Sequence, residues 1–535
     1  MMIRSKSRLA ALALTLVLAS QAHAAPIKTV SLALTGEPPQ LNSTKATDAQ
    51  SFMILGHMME GLLRNGRSAG EYAPGVAEKW TVTDRGATFT LRKNAKWADG
   101  KPVTAHDFVF SWRLVVDPKN ASEYAFIMYP VKNAEKIAQN KAPVTELGVK
   151  AEGDHTLKVE FEKPCGYFLG LTAFSTYYPV REDFYNQRKD KYGADAKDLL
   201  ANGAYTMSEW VHGSKLTLNK NPNYWNAASI KIDRIAIPYM TPDNMAQFNF
   251  FKDKKTDLIE RLGKDELPRA QAEKFKLHSY NDGSVWYMEF NFRDGRVTRN
   301  KNLRKAIQLV LAANMTEYVN KIIGIPGTKP GATLVPSWVR GAKDLFRKEY
   351  PYTAPKGSIA EAKKHIELAK KELGGSIPAL IWLTGDTPFA GREAEYFQNL
   401  LGKHLGLTLK IDKQIFKQRL AKMTSGEFDI VAAGWGPDFA DPMTFAELKA
   451  SWNENNRGQW KNADYDKAIR EAQSTADQKK RMAAMAKAER IMLDDIAVVP
   501  TYERTVIYLM SDRVQNLKRN PIGPDPDFTY ASVKE

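Results

Sequence analysis

Short strand-like runs alternate with longer helix-like ones along the whole chain, and no other feature restricts its fold as much. "TVSLAL" (29–34), "ATFTLR" (87–92), "HTLKVEF" (155–161), "SKLTLN" (214–219) and "IDRIAIPYM" (232–240) carry the alternation or continuous apolar run of strands. "SFMILGHMMEGLL" (51–63) and "NLRKAIQLVLAANMTEYVNKII" (302–323) repeat their apolar residues at helical spacing, with Ser51 and Asn302 where N-caps are expected. The mixture predicts α/β lobes. At 535 residues, 43% hydrophobic and 26% charged, the chain is long enough for two or three domains. It has no internal repeat, no low-complexity tract and no long linker. Several domains would then be joined by short segments, with more than one crossing expected, an arrangement that suits lobes on a hinge closing around a ligand.

The first 24 residues read as an export signal. Arg4, Lys6 and Arg8 precede the apolar run "LAALALTLVLA" (9–19), and "AHA" (22–24) supplies the small residues of a cleavage site. The run is short for a bilayer, and no later stretch approaches 18 uninterrupted apolar residues. No Cys stands at the cleavage point, so a lipid anchor is not expected, and a periplasmic location is. The one Cys, Cys165, cannot form an internal disulfide and reads as a small buried hydrophobe. The formal charge of +16 falls to +13 without the signal's three cations. These charges are interleaved with acids rather than gathered in blocks, which argues for a solvated basic surface and against a nucleic-acid partner.

The usual catalytic and metal signatures are missing. The eight His residues form no ligand pair at metal-binding spacing, and no phosphate-cradling glycine loop occurs. "GRSAG" (66–70) matches the letters of a nucleophile elbow, but no apolar strand leads into it and Pro74 follows; it reads as a polar turn. No enzyme, cofactor or metal is expected.

The stretch "FDIVAAGWGPDFADPMTF" (428–445) is the densest candidate site. Ile430 to Ala433 predict a short buried strand, which breaks at Gly434-Trp435-Gly436-Pro437 and delivers Asp438 and Asp441. On spacing alone Asp438 is either a ligand-facing carboxylate or a turn cap, and Asp441, beside Pro442, is the turn former.

The run "YAPGVAEKWTVTDRGATFTLRKNAKWADGKPVTAHDFVFSW" (72–112) closely resembles the signature of the periplasmic solute-binding proteins that serve oligopeptide and dipeptide ABC importers. The resemblance continues in order through "DPKNASEYA" (117–125), "NGAYTMSEW" (202–210), "NPNYWN" (221–226), "MEFNF" (288–292), "LRKAIQLVL" (303–311), "GEFDIVAAGWGPDFADP" (426–442) and "ADYDKAI" (463–469). The "SEYA" at 122–125 is most like the oligopeptide-binding branch.

This resemblance implies an α/β, two-lobed fold with an additional inserted domain and a ligand cleft between the lobes. Residues 25–58, 181–288 and 504–535 would form lobe one, 59–180 the inserted domain and 289–503 lobe two. It implies capture of short peptides and their delivery to the membrane permease and ATPase subunits of an ABC importer, with the receptor a monomer. The same fold could instead serve a muropeptide, an opine, haem or a nickel chelate, or a chaperone-like role on unfolded segments.

By the same resemblance Asp438 pairs with a peptide's α-ammonium, Trp435, Gly434 and Gly436 shape the pocket, Tyr124 contacts the peptide, and Phe416 forms an apolar wall. Basic residues that would meet the peptide carboxylate are replaced by Ile323, Met423 and Ala432, and an acidic one by Thr47. Arg392 and Arg340 are the candidate substitutes. Without a cation, the site is expected to depend less on a free C-terminus.

Overall fold

The computed structural model describes residues 27–534, so the export signal lies outside the described residues. Its spine is an 11-stranded mixed sheet. One half is centred on Thr29–Leu34, which lies parallel to Arg234–Met240 on one side and to Leu258–Ile259 on the other; Lys215–Lys220 and Tyr205–Val211 extend it antiparallel. The other half holds Leu380–Gly385 between Leu409–Gln414 and Ile430–Trp435, all parallel. Helices Pro388–Leu405 and Phe416–Ser425 make the crossovers that parallel strands require.

Two long strands tie these halves together. Leu277–Phe290 and Val498–Met510 pair antiparallel from Leu277↔Leu509 to Glu289↔Val498, and Leu277–Phe290 also pairs with Ile430–Trp435. Their register slips between Asn281 and Val285. Gly283 sits in that slip at φ +75, a backbone region that L side chains rarely adopt. Its neighbours leave no room for one, since a Cβ there would lie 2.6 Å from Pro521.

A separate four-stranded antiparallel sheet, Ala77–Thr83, Gly86–Leu91, Thr156–Glu160 and Val149–Ala151, packs with helix Ala105–Val116. "GRSAG" is the turn between the paired strands Leu63–Asn65 and Tyr72–Pro74. All five strand-like runs are strands, but the helix starts differ from expectation. Asp48 caps Ala49–Met58 by accepting from the Ser51 N–H, and Asn300 caps Lys301–Glu317 by accepting from the Leu303 N–H. In both cases the helix begins earlier and an earlier residue is the cap, and Asn302 bonds Glu372 instead. The second helix continues as a π-helical turn over Tyr318–Ile323 and stops at Gly324, whose φ is +64. Cys165 is buried, and burial pushes its thiol up to about 12.

Candidate functional site

Ile430–Trp435 alternates as a strand should: Val431, Ala433 and Trp435 are buried, whereas Ala432 is half-buried and Gly434 and Gly436 are exposed. One edge of this strand is taken by Val285–Phe290. On the opposite edge Leu380–Gly385 pairs only with Ile430 and Val431 and then diverges. From Ala432 onward that edge has no strand partner. The Ala432 carbonyl accepts from the Arg419 guanidinium, which shows where its peptide group points. With the two-residue period of a strand, the Gly434 peptide groups face the same open edge. A side chain on Gly434 would be obstructed: a Cβ would lie 2.8 Å from the Trp286 ring.

Beyond the strand's end the chain turns through Pro437 into Asp438, which is 9% exposed. The Asp438 N–H donates to the Thr444 hydroxyl at 3.1 Å, and the Tyr124 hydroxyl lies 3.3 Å from both carboxylate oxygens. No cation pairs with Asp438 among the described residues. Burial therefore dominates and pushes its carboxyl up to about 8, although the Tyr124 and Thr444 bonds favour the ionised form. Phe126, Ile127, Tyr167, Phe439, Met443 and Glu447 complete a cavity of about 10 Å³ around it, the size of one water. Glu447 is itself pushed up to about 7 by burial.

Tyr124 is 1% exposed and belongs to a segment far from Asp438 in the chain. Its ring stacks on Trp435, 6.4 Å between centroids at 16°, and packs against Phe52, Phe126 and Phe174. Tyr167 stacks on Phe439 in the same seam, 5.1 Å apart at 8°. Arg457 joins the two sides by an ion pair with Glu123 at 3.0 Å. The chain is thus closed over Asp438. Nearby Asp48 is buried as well, and burial pushes it up to about 6 against the pull of its Ser51 and Gln50 bonds and the Arg457 charge.

Asp438, Trp435, Gly434, Gly436 and Tyr124 are brought into one place. Phe416 opens the helix that carries Arg419 and is half-buried. Met423, on the same helix, and Ile323 are buried. Arg392 lies outside this group: it is 40% exposed and pairs with Asp265 at 2.9 Å. Arg340 is exposed, in a bridge with Leu345. Asp441 does form a turn, accepting from the Met443 N–H at 3.0 Å, and it also holds the buried Arg481 through two bonds.

Three groups near the seam were not visible as site residues in the sequence. Arg419 is half-buried, its Nε has no partner, and it makes no ion pair among the described residues. Glu393 is buried and accepts from the Tyr318 hydroxyl; burial raises it to about 7, and the Arg419 charge pulls the other way. Arg457, 8% exposed, is the third. Each is one charged residue among many in a charge-rich chain, with no local pattern that singles it out.

No helix among the described residues is long and apolar enough to cross a membrane, and no cluster there is arranged to hold a metal ion. The oligopeptide-binding protein OppA of Bacillus subtilis is 30% identical over 501 residues, covering 91% of this chain and 90% of that protein. The structure of Listeria monocytogenes OppA bound to peptide superposes with a TM-score of 0.89 at 32% identity, covering 96% of this chain and all of that one. The Escherichia coli murein tripeptide binding protein MppA superposes with a TM-score of 0.88 at 28% identity, over 96% of this chain and 99% of that one. Against the unliganded open form of MppA the score falls to 0.63, over 96% and 98%, in keeping with the closed seam seen here. Residues 71–457 match the family described as bacterial extracellular solute-binding proteins, family 5 Middle, and this chain belongs to that family.

Proposed function

We propose that this protein is a periplasmic receptor that encloses short peptides and hands them to an ABC importer. The observation that carries this reading is Asp438, a buried carboxylate with no cation paired to it among the described residues, at the end of a strand with one edge free of a strand partner. A buried charge without a partner is costly, and a peptide's α-ammonium is the opposite charge that would satisfy it. The open edge can bond a peptide backbone as an added strand, which ignores side-chain identity. Trp435 and Tyr124 form the wall beside the ammonium, and Gly434 and Gly436 leave the backbone accessible. Peptide binding named for the relatives from Bacillus subtilis and Listeria monocytogenes supports the reading.

In this reading residues 1–24 are removed on export, and 25–58, 181–288 and 504–535 form lobe one. Residues 59–180, which contain the whole four-stranded sheet, are the inserted domain, and 289–503 are lobe two. The paired strands at Asn281–Val285 are the hinge. The receptor acts as a monomer, without catalysis, and meets the permease with its lobes closed.

Native mass spectrometry of protein purified without denaturation, followed by calorimetry with trialanine, tests the proposal. Peptide masses in the first experiment and saturable one-to-one binding in the second are expected. Failure of every di- to pentapeptide to bind the ligand-free protein, with haem or a nickel chelate binding instead, would refute it.

A further inference from the structure

Arg419 stands on helix Phe416–Ser425 and reaches across to the strand that leads to Asp438. Of the cations near the seam, Arg457 is paired with Glu123 and Lys449 with Glu289, at 2.5 Å. Arg419 has one carbonyl, that of Ala432, and an unpartnered Nε. Burial and the Arg457 charge lower its pKa, while Glu393 and Tyr287 only partly offset them. Glu393 does not neutralise it, because burial holds that carboxyl close to its protonated form and its bond is to Tyr318. The seam therefore contains two ionisable groups with no ion-pair partner among the described residues, Asp438 and Arg419, at the two ends of the open edge from Ala432 to Gly436.

We infer that Arg419 receives the C-terminal carboxylate of the bound peptide and, by occupying the Ala432 carbonyl, ends the edge on which the peptide can lie. The inference rests on the reading of Asp438 as the ammonium partner. A ligand with its ammonium at Asp438 and its carboxylate at Arg419 runs antiparallel to the strand. Its backbone faces Gly436 and Gly434, along an edge as long as about three to four residues at about 3.3 Å each. A guanidinium suits this role because its fork bonds both carboxylate oxygens while another N–H stays on the Ala432 carbonyl. The cation that is missing at Ile323, Met423 and Ala432 is thereby supplied from one helical turn before Met423, so the expected indifference to a free C-terminus is reversed.

Calorimetry of wild type and Arg419→Gln with trialanine, its C-terminal amide, its N-acetyl form and hexaalanine tests the inference. In wild type, amidation is expected to weaken binding at least tenfold, and hexaalanine to bind at least tenfold more weakly than trialanine. In Arg419→Gln, trialanine and its amide should bind alike within about twofold, while acetylation still costs at least tenfold. Retention of that acetyl effect shows that the variant is folded and its ammonium pocket intact; Arg419→Lys should keep part of the amide discrimination. An unchanged amidation loss in Arg419→Gln overturns the inference, as does equal binding of acid and amide by wild type. Failure of wild type to bind any of these peptides would instead refute the underlying reading of Asp438.

Discussion

Asp438 is held between two requirements. Burial makes the ionised carboxylate costly, while the Tyr124 hydroxyl donates to it and its own N–H donates to the Thr444 hydroxyl. Tyr124→Phe isolates the first of these, because the ring stack on Trp435 survives and only the hydroxyl is lost. Trialanine affinity is expected to fall about tenfold, the scale of one hydrogen bond to a charged group, with the melting temperature little changed; titration calorimetry and thermal melting check both. Asp438 stood out in the sequence because small residues, a turn and a carboxylate stand together over a few positions, but spacing left it open between a turn cap and a ligand partner, and the resemblance supplied the second reading. Tyr124 was legible only through the resemblance of "SEYA". Arg419 was not, since its role depends on a helix and a strand edge meeting, and nothing local distinguishes it from Lys417 or Lys422. The position of Arg392 in the sequence invited a cleft role, but its partner Asp265 could be known only from the fold.

At the level of elements, the strands were legible by their period and the helix caps by residue type, but the caps fell two or three residues earlier, at Asp48 and Asn300. The long paired strands were harder to foresee. Leu277–Phe290 contains polar residues in its first half, "LHSYNDGS", and its length follows from pairing with Val498–Met510, more than 200 positions away. The proposed hinge is the register slip at Asn281–Val285, where Gly283 takes a left-handed backbone. The Trp338 indole donates to its carbonyl at 3.2 Å, and Arg504 donates to Asp282 at 2.6 Å. Gly283→Ala places a Cβ against Pro521 in a left-handed backbone, so stability is expected to fall by about 1–3 kcal/mol. Denaturant unfolding, read as a lower midpoint at constant slope, checks this. An unchanged midpoint would mean that the slip does not need glycine.

Residues 27–534 adopt a closed form, and their charges say what such closure requires. Asp438, with its carboxyl raised to about 8, binds a proton in the closed, ligand-free form that a hydrated aspartate, near 3.8, would release. The closed form therefore gains relative to an open one as pH falls through that window and loses as pH rises toward 8. Glu447, which lines the same cavity, acts in the same direction near 7. Small-angle scattering of ligand-free protein is expected to give a smaller radius of gyration at pH 5 than at pH 8, with the difference reduced in Asp438→Asn. At pH 8 a saturating peptide should restore the smaller radius, because the ligand's ammonium replaces the proton. The pairing of Asp438 with that ammonium is the centre of the account, and a double-mutant cycle in calorimetry tests it most directly: wild type and Asp438→Asn, each titrated with trialanine and N-acetyl-trialanine. Acetylation and the substitution should each weaken binding at least tenfold, about 1.4 kcal/mol, and together little more than either alone; losses that simply add would contradict the pairing.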